Sequence, residues 1–177
     1  MHTPTIIVGN NHGSVLVIGL LALILLTLIG VSATTTSSIE VQIAGNDKAS
    51  KEAFYAAEFG LSMGEQVVHG FSNRVDLNED SVAGRYAKNA QPDWNLMSWN
   101  AADSTAVSTS ALPQGLGKVA TPPRFVIEER NFIRTGSLTI GTTQPTGIYL
   151  FNVTARGVGS NTNAEVILES VYARQFN

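Results

Sequence analysis

The chain opens on an apolar stretch, residues 14–31, that contains no charged side chain. It holds thirteen Val, Leu or Ile residues, and leaving them in water would cost on the order of 20–40 kcal/mol at ~1.5–3 kcal/mol each. That exceeds the ~5–15 kcal/mol net stability of a typical domain, so the stretch must be buried in a bilayer, in a partner, or in both in turn. As a helix it would reach about 26 Å, close to a ~30 Å hydrocarbon core, which predicts a short transmembrane span.

The helical pattern continues beyond this stretch. Apolar positions from Ile39 onwards keep one face, and Gly70 is expected to end the helix. One long helix is therefore predicted over about residues 15–69, apolar all round in its first half and amphipathic in its second. Gly30 and the Ser/Thr run that follows it are the weakest helix formers, so the helix is expected to bend or melt there.

The amphipathic half carries a stripe at steps of seven and at the positions between them, whereas Lys and Glu occupy the opposite face. This stripe is expected to form the core against the rest of the chain: Phe54, Ala57, Leu61, Gly64 and Val68. Residues 71–118 carry no clear period. We expect Trp94 and Trp99 to pin this long connection onto the helix.

Three strands are predicted next. Residues 124–129 form a short β-branched run, and residues 147–156 and 164–172 alternate between two faces. A turn-rich segment, residues 157–163, joins the last two as a hairpin. The second half is thus expected to be an antiparallel meander with one apolar face, which the helical stripe would cover. The predicted fold class is α+β, a long helix packed on a small antiparallel sheet.

Composition excludes some kinds of site and partner. Of the 177 residues 14% are charged, the net charge is −3 and cysteine is absent, which excludes disulfides and cysteine metal sites. The sequence has no basic face of the kind that would indicate nucleic acid as a partner.

Catalytic and metal motifs are weak. Residues 60–64 match G-x-S-x-G, but they fall inside the predicted helix, and only His69 follows as a base. Residues 76–80 match the opening of a calcium loop, without its turn glycine or closing Glu. The three histidines have no ligand spacing. The carboxylate pairs Glu128/Glu129 and Glu165/Glu169 are expected on the solvent-facing side of the sheet.

Five motifs in order resemble the PilX-type minor pilins of type IV pili. Gly13-Ser14 resembles the prepilin peptidase site. IEVQIAGN at 39–46 and AFYAAEFGL at 53–61 resemble the helix of that family. PRFVIEE at 123–129 resembles its first strand, and VTARG at 153–157 with residues 163–172 resembles its closing hairpin.

The resemblance implies a structural, non-enzymatic subunit without a cofactor. It divides the chain into a leader at 1–13, a transmembrane and polymerisation half-helix at 14–38 and a globular domain at 39–177. That domain would comprise the half-helix 39–69, a variable connection 70–122 and the sheet 123–177. Cleavage would follow Gly13, and the new N-terminus, Ser14, would be methylated.

The resemblance also implies partners and a location. The partners would be prepilin peptidase, the inner-membrane assembly platform, the major pilin, other minor pilins and a pilus tip protein. The chain would lie in a bacterial inner membrane with its C-terminal domain in the periplasm, and later in an extracellular pilus. Gly19, Ala22 and Gly30 would let helices approach closely. Major pilins carry a Glu where this chain has Ile18, which favours an initiating role over repeated insertion.

Three alternatives stay open. The chain could be a minor pseudopilin of a type II secretion system, or a periplasmic domain on an uncleaved anchor. The apolar run could also be an export signal cut near Ser38, although it is longer than the ~7–15 apolar residues usual in such signals.

Overall fold

The computed structural model describes residues 12–71, 82–90, 97–116, 118–134 and 147–176. It confirms the α+β class, with one long helix and a sheet. The elements are α1 (His12–Gly70), β1 (Arg85–Tyr86), β2 (Thr105–Ala106), β3 (Arg124–Arg134), β4 (Gly147–Val158) and β5 (Glu165–Phe176). The chain divides into two compact units, Met1–Gly45 and Asn46–Asn177, and α1 contributes residues to both.

The three long strands form the predicted antiparallel meander. Phe125 pairs with Ala155 across β3 and β4, and Phe151 pairs with Tyr172 across β4 and β5. The β4–β5 register runs without a shift from one end to the other. In β3 the register shifts between Glu129 and Asn131, which marks a bulge.

The sheet is mixed, and not purely antiparallel as the sequence predicts. The connection between α1 and β3 supplies β1, which pairs parallel to β3, and β2, which pairs antiparallel to it. Gly84 precedes β1 with a φ of +82°, and a Cβ on it would lie 2.7 Å from the Thr105 nitrogen. Glycine therefore permits both the turn and the close passage of the two short strands.

The second half of α1 packs on the sheet through small residues. Its buried positions are Ala49, Ala53, Ala56, Ala57, Gly60, Gly64 and Val68. A Cβ on Gly60 would lie 3.2 Å from the Ala155 Cβ, so the helix and β4 are in close contact there. The core beyond them is aromatic, with Tyr149 and Phe151 of β4 both almost fully buried.

The helical stripe differs from the expected one at two positions. Ala57, Gly64 and Val68 lie in the core, and Leu61 packs against its margin. Phe54 lies outside the core, with 41% of its surface exposed. The heptad spacing drifts by about 20° per seven residues around an α-helix, so Phe54, two steps before Val68, has turned away from the face that Val68 occupies.

A second cluster covers the other face of the sheet. Met97 and Trp99 are buried with Val126 of β3, and Tyr86 packs against them. Val126 alternates with Phe125 and Ile127, which belong to the cluster on the helix side. Trp99 therefore fastens the connection to the sheet and not to the helix, which corrects the expectation; Trp94 lies outside the described residues.

Candidate functional site

The first unit presents an apolar surface that no other described residue covers. All thirteen Val, Leu and Ile side chains from Val15 to Val31 are at least 44% exposed. Among the described residues one helix, Gly13–Gly70, is long and apolar enough to cross a membrane. A surface of this kind requires hydrocarbon or the apolar side chains of other helices around it.

The Ser/Thr run is helical in the structure, so the helix does not melt there as the sequence allowed. The hydroxyl groups of Thr34, Thr35 and Thr36 donate to backbone carbonyl oxygens three or four residues earlier, at 2.8–3.0 Å. Thr27 makes the same contact with the Ile24 carbonyl oxygen at 2.8 Å. These bonds satisfy the hydroxyl groups of the four threonines within the helix itself, so these side chains can enter an apolar medium without losing a hydrogen-bond partner.

The residues of the expected processing site lie in the first turn of α1, which begins at His12. Gly13 and Ser14 are both exposed. A Cβ on Gly13 would meet no atom within 4 Å, so no contact within the described chain requires glycine at this position.

The expected polymerisation residues lie on the exposed first half of α1. Ile18 is 64% exposed, and Ala22 is exposed as well. A Cβ on Gly19 or Gly30 would meet no atom within 4 Å. The folding of the described residues therefore does not explain why these positions are small.

The G-x-S-x-G match has no catalytic geometry. Ser62 and His69 lie beside one shallow groove of about 180 Å³, together with Tyr172. Seven residues separate them on the helix, a rise of about 10 Å, whereas a nucleophile and its base must lie within ~3 Å of each other. The His69 Nδ1 instead lies 3.1 Å from the Tyr172 hydroxyl oxygen.

Three of the carboxylates expected on the solvent-facing side of the sheet, those of Glu128, Glu165 and Glu169, differ in their surroundings. Glu165 pairs with Arg156 at 2.8 Å, which lowers the pKa of Glu165, and Glu169 lies 4.0 Å from Arg130. Glu128 was expected on the solvent-facing side, but only 5% of its surface is exposed, because residues of the connection cover that face of β3. Burial raises the pKa of Glu128, while the N–H group that Asn89 donates at 3.0 Å opposes the shift.

Metal ligands do not converge in the part of the chain that the structure describes, which holds no group of three or more His, Cys, Asp or Glu side chains that could bind an ion. The calcium-like motif at 76–80 lies outside the described residues. Among the described residues of the second unit, three of the surface grooves are larger than the one beside His69. Their volumes are about 510, 490 and 310 Å³, and they lie at Tyr55, at Asn163 and at Glu128, respectively.

The structure thus combines a sheet-and-helix unit of α+β class with an exposed apolar half-helix that is long and apolar enough to cross a membrane, which is a pilin-like architecture. Two protein-family models match the chain: PilX N-terminal over residues 12–62, and type IV pilus assembly protein PilX C-term over residues 45–174. The chain therefore belongs to the PilX family of type IV pilus assembly proteins, as the five sequence motifs indicated. Comparisons with curated proteins and with solved structures gave no significant match.

Proposed function

We propose that this chain is a minor pilin that helps to initiate type IV pilus assembly and is incorporated into the filament at or near its tip. The observation that carries the proposal is the exposed apolar half of α1 joined to a folded second unit. Lipid surrounds this half-helix before assembly, and the helices of neighbouring subunits surround it afterwards. Packed Leu side chains and lipid tails are similarly apolar, so the transfer costs little.

Processing would occur at the N-terminal end of α1. Prepilin peptidase would cut after Gly13, and Ser14 would become the methylated N-terminus. Both residues are exposed in the described structure, which supports access for an enzyme. Before cutting, the chain would be a single-pass protein of the bacterial inner membrane with its second unit in the periplasm.

Gly19, Ala22 and Gly30 would serve contacts between subunits. No contact of the described residues requires the two glycines to be small. Small residues at helix interfaces in an apolar medium let two backbones approach closely. We therefore assign this set to packing against the helices of other minor pilins and of the major pilin.

Ile18 would determine the role in the filament. A Glu at this position in major pilins is taken to pair with the N-terminal amine of a neighbour. Ile18 cannot form that pair, which favours a few initiating copies beneath a tip protein over repeated insertion along the shaft.

The first test is the intact mass and N-terminal residue of the membrane-extracted protein, with and without prepilin peptidase. A chain that begins at methylated Ser14 only when the peptidase is present supports the proposal. A chain that begins at Met1, or is cut near Ser38, would overturn it in favour of an anchored or exported domain.

A second measurement separates pilus assembly from type II secretion. Deleting the gene should reduce the number of surface pili and leave the release of type II substrates unchanged. The reverse result would assign the chain to a secretion pseudopilus. Gold-labelled antibody against the second unit should mark filament ends, and labelling along the whole shaft would contradict the position at the tip.

A further inference from the structure

A groove of about 510 Å³ lies on the second unit between α1 and the turn Gln114–Leu116. Its floor is formed by Tyr55 and Phe59 of α1 together with Pro113 and Leu116. Tyr55 lies on a different side of α1 from Ala53 and Ala57, which are fully buried. The groove is therefore separate from the contact of α1 with the sheet.

Tyr55 at this groove and its neighbour Phe54 are large aromatic side chains that remain exposed to solvent. Tyr55 is 56% exposed, and the neighbouring Phe54 meets its ring edge-on at 6.0 Å between centroids. Large aromatic side chains at the centre of a pocket supply much of the binding energy in protein interfaces. An exposed pair beside an apolar groove indicates a surface that a partner covers.

The rim of the groove carries one uncompensated negative charge. Glu52 accepts the Ser160 N–H group at 3.2 Å and lies 3.8 Å from the Lys48 ammonium group. Lys118 also acts electrostatically on Glu52. Glu58 is exposed, and no Lys, Arg or His among the described residues lies within 4.0 Å of its carboxylate. A ligand that combines an apolar group with a cation would therefore match both the apolar lining and the charge of this groove.

We propose that this groove binds a segment of a partner protein that presents an apolar side chain with a Lys or Arg within two positions of it. The apolar side chain enters between Tyr55, Phe59 and Leu116, and the cation faces Glu58. Glu58 would repel the phosphate of an anionic lipid headgroup, and an acyl chain alone would gain nothing from this carboxylate. The groove would bind such a segment whether the partner is a pilus subunit or another envelope protein.

The test is photo-cross-linking in cells that make the full chain. p-Benzoylphenylalanine replaces Tyr55 in one variant and Val171 in the control, because the two side chains are almost equally exposed, at 56% and 53%, and Val171 lies on β5 outside the groove. We expect the probe at Tyr55 to join a peptide of another protein that carries Lys or Arg within two positions of the linked apolar residue. The control should not give this product.

The charge is tested with Glu58→Lys in the chain that carries the probe at Tyr55. The yield of the product should fall about tenfold, which corresponds to ~1.4 kcal/mol of binding free energy. Glu169→Lys makes the same change of net charge on the exposed side of β5, outside the groove, and should leave the yield unchanged. A second variant carries the probe at Phe54, so that the result does not depend on the folding of a single probe variant.

Several results would overturn the proposal. They are a product with lipid, with a second copy of this chain or within the same chain, and a joined peptide without Lys or Arg. An unchanged yield in Glu58→Lys would do so too, as would the same product from the Val171 control. The absence of any product from the probe at Tyr55 and from the probe at its neighbour Phe54, in chains whose tryptophan fluorescence matches that of the wild type, would also overturn it.

Discussion

Gly157 of β4 lies against the backbone of α1 at Ala53, so closely that a Cβ on Gly157 would overlap the Ala53 carbonyl oxygen. Ala57 lies over the same glycine one turn further along the helix. The distance between helix and sheet in the second unit is thus limited by main-chain atoms, and these cannot move aside as a flexible side chain can.

We predict that Gly157→Ala destabilises the protein by about 1–3 kcal/mol, because the added methyl group must push helix and strand apart. The measurement is denaturant unfolding of the full chain in detergent micelles, followed by the fluorescence of its two tryptophans. Gly45→Ala is the control, since a Cβ there would meet no atom within 4 Å. This control should leave stability unchanged or raise it by up to ~1 kcal/mol, as Ala favours a helix over Gly. Equal stability of the two variants would contradict the close contact.

Two phenylalanines test the position of the core. Phe151 is 1% exposed, whereas Phe54, part of the stripe expected from sequence, is 41% exposed. Phe151→Ala should cost about 3–5 kcal/mol, because it leaves a cavity in the aromatic cluster. Phe54→Ala should change the free energy of unfolding by no more than about 0.5 kcal/mol, as surface substitutions do. A large loss of stability in Phe54→Ala would show that Phe54 belongs to the core, as the sequence predicts.

Glu128 predicts a pH dependence of stability. Burial raises its pKa in the folded chain, so the folded state holds the proton more tightly than the unfolded state does. The contribution of Glu128 to stability is therefore fully present below the ordinary carboxyl pKa and is lost as the pH rises through the raised pKa. Glu128→Gln should melt at a higher temperature than the wild type at pH 8 and at a similar temperature at pH 4.

Glu129→Gln is the matched control for this effect, because it removes the same charge from the next residue of β3. In Glu129→Gln, the difference in melting temperature between pH 4 and pH 8 should be the same as in the wild type. A wild-type and a Glu128→Gln curve that run parallel from pH 4 to pH 8 would show that burial does not hold a proton on Glu128.

Ile18 tests the initiating role. If the missing carboxylate limits the chain to a few initiating copies, Ile18→Glu should raise the number of copies per filament, because the N-terminal amine of a neighbour gains a partner. Quantitative mass spectrometry of sheared pili provides the count. Ile18→Leu keeps the position apolar and should leave the count unchanged. An unaltered count in Ile18→Glu would remove the proposed link between this residue and copy number.

The sequence by itself determined the elements whose periods are long and regular. The uncharged run from Val15 to Val31 predicted the exposed helix because its apolar content leaves no alternative to a membrane or partner helices. Alternation in β4 puts Tyr149, Phe151 and Val153 on one face of the strand, since neighbouring side chains of a strand point to opposite faces, and all three lie in one core cluster.

Only the tertiary structure decided which part of each face is covered. The sequence placed Phe54 in the helical contact together with Ala57. The close backbone contact at Gly157 instead selects Ala53 along with Ala57 and leaves Phe54 exposed. The connection before β3 has no period, so its two short strands and the place of Trp99 could not be predicted. The same connection buries Glu128 on a face that alternation alone assigned to solvent. Burial depends on residues far apart in the chain, and a local pattern cannot carry that information.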